Sequence, residues 1–355
     1  MWKHCCPPKP HRSRNSPERS RVERPHPTLD PDSPISEAWN PAEDSPLKFI
    51  LGLPTDDMER RTEFGTVAAL SEIGKAAEDF GFEGVYITDH PAPTPRYMAQ
   101  GGHHDLDPPV ALAVVAAATT HLRLMTNLYI LAFRKPFAAA KALATLDSLS
   151  DGRLIFGTGT GYLEPEFSAL GAEFAERNEH LDESLEILKQ IWTGAPVWGS
   201  GRGFDAGGNL ALPTPASHPH PPIWIGGNSR RALRRVAEHG DGWLPMRVDK
   251  NMARYVHSAA IESLADLRGR LEYLHEELDR RGRTRPVDVM LSPVALGYGD
   301  TGFDPGALRN ELEQLAELGV NHAGVQFSFP GAGGLKTRTQ LLGMMESFAN
   351  DLIRA

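Results

Sequence analysis

GVYITDH, residues 84–90, is the stretch from which the fold can be read. Five mostly apolar residues run straight into Asp89 and His90, and PAPTP follows at 91–95. A buried strand that ends on an acid and an imidazole fits a parallel sheet whose strand ends carry function. Upstream, KFILGLP (48–54) is a second apolar run. Between the two, residues 66–80 place Val67, Leu70, Ile73, Gly74 and Ala77 on one helical face and stop at Gly81. Downstream, Asp107 is an expected N-cap and Pro108 the first helical residue of LAVVAAAT.

The same alternation continues to the C-terminus. Strand-like runs at 123–131, 153–161, 222–227, 242–246, 287–297 and 322–329 alternate with helical spacing at 136–149, 177–192, 230–239, 252–283, 308–318 and 341–353. Near-continuous apolar strands, each followed by a helix, imply a parallel sheet covered on both faces. Eight such units are the number that closes a (β/α)8 TIM barrel. An open doubly wound sheet would call for a nucleotide fingerprint at its switch point, and none is evident. The polar, Gly/Pro-rich residues 194–221 read as an insertion after the fourth βα unit. In this fold the active site lies where the strands end, so Asp89 and His90 belong on the catalytic rim, one facing the mouth and the other bracing it.

The totals leave that reading in place. The 355 residues are 40% hydrophobic and 23% charged, an ordinary globular balance. No window reaches the length of apolar sequence that spans a membrane. The N-terminus MWKHCCPPKPHRSRNS has no apolar signal core, so the expected location is cytoplasmic. Residues 1–46 differ in composition from the remainder: they hold 10 of the 29 prolines, and their seven Lys/Arg cancel their seven Asp/Glu. They read as a disordered extension ahead of a barrel domain at 47–355. The whole net charge of −9 then falls on the barrel, which argues against a nucleic-acid partner. Cys5 and Cys6, the only cysteines, sit in the extension, so the barrel has no disulfide and no thiol nucleophile.

Other rim positions carry candidates. Asn127 is unusual in an apolar strand and would hydrogen-bond either a ligand or a neighbouring strand. Gly157, Gly159 and Gly161 strip one strand face, which marks close approach of a ligand or of backbone. Glu164 and Glu166 follow as candidate acids. Gly226 and Gly227 lead into a helix starting at Asn228 and Ser229, with Arg230 and Arg231 in its first turn, an arrangement suited to phosphate. The histidines of HHDLD (103–107) and SHPH (217–220) match no metal-ligand spacing, so no metal is expected.

The runs GFEGVYITDH, LRLMTNLYILAFRKP, SDGRLIFGTGTGYLEPEF and PPIWIGGNSRRALRRVAEHGDGW occur in this order between residues 47 and 353. Together they resemble the luciferase-like monooxygenase superfamily, and most closely its branch that uses the deazaflavin coenzyme F420. The resemblance implies a TIM barrel and an oxidoreductase passing hydride between coenzyme F420 and a small organic substrate. It implies that Asp89 and His90 lie at the coenzyme ring, with His90 as the proton donor or acceptor and Asp89 as a catalytic partner that orients the imidazole or holds the ring edge. It places Thr126, Asn127 and Leu128 behind the ring, at a strand bulge that in this family often carries a non-prolyl cis peptide. Gly226, Gly227, Asn228 and Ser229 would hold the coenzyme phosphate, and Gly159 would border the ligand. Certain sugar-phosphate dehydrogenases of the branch have a glutamate where this chain has Tyr162, so that role does not carry over; Glu164, two residues on, is a candidate acid from the residues alone, and a sugar-phosphate substrate is not implied. Two alternatives share the fold: an FMN-dependent two-component monooxygenase needing a flavin reductase, and a coenzyme-binding protein without turnover. The expected assembly is a homodimer.

Overall fold

The computed structural model describes residues 47–297, 302–327 and 335–354. The extension read at 1–46, with both cysteines, lies outside the described residues. The described residues form eleven strands: β1 (Lys48–Gly52), β2 (Gly84–Ile87), β3 (Arg123–Thr126), β4 (Tyr129–Ile130), β5 (Leu154–Gly159), β6 (Val197–Gly201), β7 (Phe204–Asn209), β8 (Ile223–Gly226), β9 (Gly242–Leu244), β10 (Asp288–Val289) and β11 (His322–Val325).

Eight of them are parallel staves in the order β10-β9-β8-β5-β3-β2-β1-β11. A parallel bridge between Met290 and His322 joins the two ends, so the sheet closes as the TIM barrel expected from the sequence. Alternation along the staves fills both sides. Ile50, Tyr86, Met125, Ile155, Trp224, Leu244 and Met290 point inward and pack as the barrel's own core. Their neighbours, Phe49, Leu51, Val85, Leu124, Phe156 and Ile225, face the surrounding helices. The helix Val67–Phe80 is capped by Thr66, whose Oγ1 accepts from Ala69 N at 3.2 Å. Asp107 caps Pro108–Ala118 as anticipated, through Oδ1 and Val110 N at 3.3 Å.

Four departures from the periodicity matter for the site. The run at 123–131 breaks into β3 and β4 around a cis peptide between Asn127 and Leu128. The region after β5 winds into a short helix, Glu164–Ala169. The single helix expected at 252–283 is two, Lys250–Tyr255 and Leu264–Arg280. The second starts where Ser263 and Asp266 form a capping box, a stronger start signal than the charge pattern that runs through it. The strand expected at 287–297 is regular only at Asp288–Val289. The insertion folds as the antiparallel hairpin β6–β7, outside the barrel sheet. No described helix is long and apolar enough to cross a membrane.

Candidate active site at the strand ends

A cavity of about 750 Å³ opens where the staves end. Asp89, His90, Asn127, Leu128, Gly159, Gly226, Gly227 and Ser229 all line it, so residues far apart in the chain meet at one mouth. Three other expected positions do not.

Asp89 and His90 divide the work by pointing in opposite directions. Asp89 turns away from the imidazole: Oδ1 accepts from Arg134 Nη2 at 2.9 Å, and Oδ2 accepts from Arg134 Nη1 and from Ile130 N, the latter at 2.8 Å. This bidentate pair ties the end of β2 to the bend after β4. Burial works against the charge on Arg134, but Asp89 outweighs it and holds the guanidinium above its ordinary range.

His90 faces the cavity. Its Nδ1 lies 3.2 Å from Glu166 Oε2, and Glu166 Oε1 accepts from Ala92 N at 3.2 Å. A carboxylate only accepts, so Nδ1 carries the proton and Nε2 is left toward the cavity side. There it meets the hydroxyls of Tyr97 and Tyr162, each at 3.3 Å, and these are 3.1 Å from one another. Burial pushes both phenols up, with neighbouring Tyr255 and Glu166 adding to it. The role expected of Glu164 therefore needs correcting: its side chain is exposed, whereas Glu166 is 3% exposed and holds the histidine. Two residues along a helix turn the side chain through about 200°, so only one of the pair can face inward.

Behind His90 a second imidazole packs edge to face, His103, with centroids 4.7 Å apart. Its Nε2 is 3.1 Å from Thr88 Oγ1, which donates to Asp105 Oδ2 at 2.6 Å. Burial, helped by His90 and His104, pushes His103 down to about 3, so it is neutral at physiological pH. Burial likewise raises Asp105 to about 6, and burial with Asp105 raises Asp56 to about 8. His103 of HHDLD thus packs against His90 and braces the site.

On the opposite wall, the glycines make room for protein rather than for a ligand. A Cβ on Gly159 would come within 2.7 Å of Leu128 Cδ1, and one on Gly226 would run into the same atom. Leu128 thereby lies over both glycines and forms the cavity floor beside the cis peptide. Thr126 is fully buried and spends its hydroxyl on Gly157 O at 2.8 Å, so its side chain is structural and does not line the cavity. Asn228 requires the same correction. It is fully buried, its amide donates to Met246 O and Ala259 O at 2.7 Å and accepts from Met246 N at 3.0 Å, and its backbone N–H goes to Ser258 Oγ. The side-chain amide and backbone N–H of Asn228 are thus committed to pinning the loops after β8 and β9. Gly227 N also has a partner, Leu244 O at 3.3 Å. Ser229 caps Arg230–His239, accepting from Ala232 N at 3.2 Å, and its hydroxyl and the first-turn N–H groups are what this helix start presents to an anion.

Sequence reasoning did not single out Tyr97 or His103 as site residues and placed the catalytic acid at Glu164 rather than Glu166. The Pro165 that starts a helix was a usable signal, because a helix at 164–169 separates Glu164 from Glu166 by face.

The model of the luciferase-like monooxygenase family matches residues 48–301. Among curated relatives, the F420-dependent hydroxymycolic acid dehydrogenase of Mycobacterium tuberculosis is 29% identical over 55% of this chain and 53% of its own length. The F420-dependent glucose-6-phosphate dehydrogenase of Nakamurella multipartita is 32% identical over 51% of this chain and 52% of its own. The match thus spans about half the length of each. Among solved structures, a monooxygenase from Streptomyces bottropensis superposes with a TM-score of 0.69 at 18% identity, over 87% of this chain and 99% of that one, a likeness of fold alone. With eight parallel staves, the strand-end cavity and a family match across most of the barrel, the chain belongs to the luciferase-like monooxygenase family.

Proposed function

We propose that the chain is an F420-dependent oxidoreductase in which His90 gives or takes the proton that accompanies hydride transfer to or from a small organic substrate. The observation that carries this reading is the His90–Glu166 pair on the cavity wall. Glu166 fixes the proton on Nδ1, so the unprotonated Nε2, beside the Tyr97 and Tyr162 hydroxyls, can accept one, and the carboxylate stabilises the imidazolium that results.

The residues present suit a deazaflavin. Leu128 supplies an apolar surface in the cavity, and the start of Arg230–His239 with Ser229 supplies an anion site for its phosphate. When bound, the deazaflavin contributes two-electron hydride chemistry that reacts poorly with oxygen. Asp89 takes no part in proton movement; it keeps the β2 and β4 ends in register so that His90 faces the cavity. The two F420-dependent relatives support the choice of coenzyme. The test is His90→Ala, which should bind the coenzyme as wild type does yet lose at least about a hundredfold in turnover, the usual scale of general acid–base catalysis. Undiminished turnover would remove His90 from the mechanism.

A further inference from the structure

Two buried oxygens in the loop after β1 have no hydrogen-bond partner. They are Thr55 Oγ1 and Asp56 Oδ1, on residues 2% and 5% exposed. A buried carboxylate oxygen left in this way is costly unless it is protonated or meets a cation. A second carboxylate stands beside them, on the loop after β2. Asp105 raises Asp56 through its charge, and the Thr55 hydroxyl works against the rise of Asp105, so the three side chains converge.

The adjacent acid is engaged elsewhere. Asp57 Oδ1 caps the turn Met58–Arg60, accepting from Arg60 N at 3.1 Å, and Oδ2 pairs with the Arg60 guanidinium. Asp56 and Asp105 have only neutral donors. Asp56 Oδ2 accepts from the Gln326 amide at 3.4 Å; Asp105 accepts from Leu106 N at 2.7 Å and from Thr88 Oγ1 at 2.6 Å. Among the described residues, no Lys or Arg pairs with either carboxylate.

We propose that Thr55 Oγ1, Asp56 Oδ1 and the Asp105 carboxylate form a binding site for one hard divalent cation, of the magnesium or manganese kind. The donors are all oxygen, which suits these ions and not zinc or copper, whose better ligands are nitrogen and sulfur. Two carboxylates carry two negative charges, which a divalent ion neutralises and a monovalent ion does not. One or two carboxylates, with water completing the shell, is a common protein site for magnesium. In the ion-free fold a proton on Asp56 takes the cation's place, and binding releases it. HHDLD thus contributes through Asp105 and not through its histidines.

The site ties the loop after β1 to the loop after β2. Asp105 also accepts from Thr88, which bonds His103, and His103 packs against His90. The ion therefore braces the wall behind His90, while its three ligands stay out of the cavity lining.

The test uses full-length protein freed of metal by a chelator. Mn²⁺ is titrated with the free ion followed by electron paramagnetic resonance, and thermal unfolding is measured with and without Mg²⁺. One Mn²⁺ should bind per chain, Mg²⁺ should compete for it, and Mg²⁺ should raise the unfolding temperature. Asp56→Asn and Thr55→Val keep side-chain size and should each weaken Mn²⁺ at least about tenfold, the low end of what disturbing a metal site costs. Both should lose the thermal shift and keep the wild-type near-UV circular dichroism. Glu186, Glu238 and His239 bring their ligand atoms within 4.8 Å of one another on the outer helices, so Glu238→Gln is the control and should bind as wild type does. Absence of saturable binding up to about 1 mM, the weak limit of protein cation sites, would overturn the proposal. Binding that Asp56→Asn and Thr55→Val leave intact would overturn it too, and its loss in Glu238→Gln would place the ion on the outer helices.

Discussion

Replacing Glu166 with glutamine isolates what the carboxylate does for His90. The side chain keeps its size and can still accept from His90 Nδ1, but the negative charge 3.2 Å from the ring is gone. Glu166 is 3% exposed, so water does not replace it. A hydrogen bond between charged groups is worth about 1.5–3 kcal/mol more than none, and here that difference appears only when His90 becomes cationic. At about 1.4 kcal/mol per factor of ten, kcat should fall roughly 10- to 150-fold. KM and coenzyme affinity should stay close to wild type, because the charge acts on the protonated state reached during transfer. The assay follows coenzyme absorbance under saturating substrate, with Glu164→Gln as the paired control. Glu164 is exposed and away from the cavity lining, so its variant should keep wild-type kcat. A Glu166→Gln enzyme with undiminished kcat, or a Glu164→Gln enzyme equally impaired, would refute the assignment of the positioning carboxylate.

Three further outcomes follow from the geometry. Asp89→Ala leaves Arg134 half of a buried bidentate pair, and urea unfolding should show a loss of about 3 kcal/mol, the scale of a broken buried ion pair; a loss below about 1 kcal/mol would contradict the bracing role. Gly226→Ala drives a methyl into Leu128 and should cost about 1–3 kcal/mol of stability, part of which Leu128→Ala in the same chain should restore; an additive double variant would show that the two residues are not in conflict. Asp56 titrates at about 8 in the fold against 3.8 for an ordinary aspartate, so the folded chain holds the extra proton between those values and stability falls as pH rises through that window. Asp56→Asn should therefore gain on wild type by a few kcal/mol, roughly, between about pH 4 and pH 8 in urea titrations, and a constant difference across that range would refute the buried-acid assignment.

The barrel was legible because its signal is spread over eight units, each with an apolar run and a helix. Losing regular structure in one run, as at 290–297, leaves the others to close the sheet. Asp89 and His90 were legible for a similar reason: strand ends are fixed by the fold, and alternation along a strand then assigns one residue to the rim and one to the mouth. What was not legible depends on local rotation and on partners distant in sequence. Glu164 and Glu166 are chemically identical, and only the short helix after β5 decides which turns inward. Asn228 stands among glycines at a helix start and looks like a ligand residue, but Met246, Ala259 and Ser258, 18–31 residues downstream, consume its polar atoms. Gly159 and Gly226 read equally well as space for a ligand or for protein, and the occupant is Leu128, at the break between β3 and β4.

The measurement that bears most directly on the account is a fluorescence titration of the purified chain with coenzyme F420 and, separately, with FMN, on wild type and Ser229→Asp. The account predicts saturable binding of F420 that the added carboxylate weakens strongly, because it places a negative charge at the helix start assigned to the phosphate. Saturable binding of FMN alone would contradict it and move the chain to reductase-coupled oxygen chemistry. F420 binding untouched by the substitution would show that the phosphate is held elsewhere.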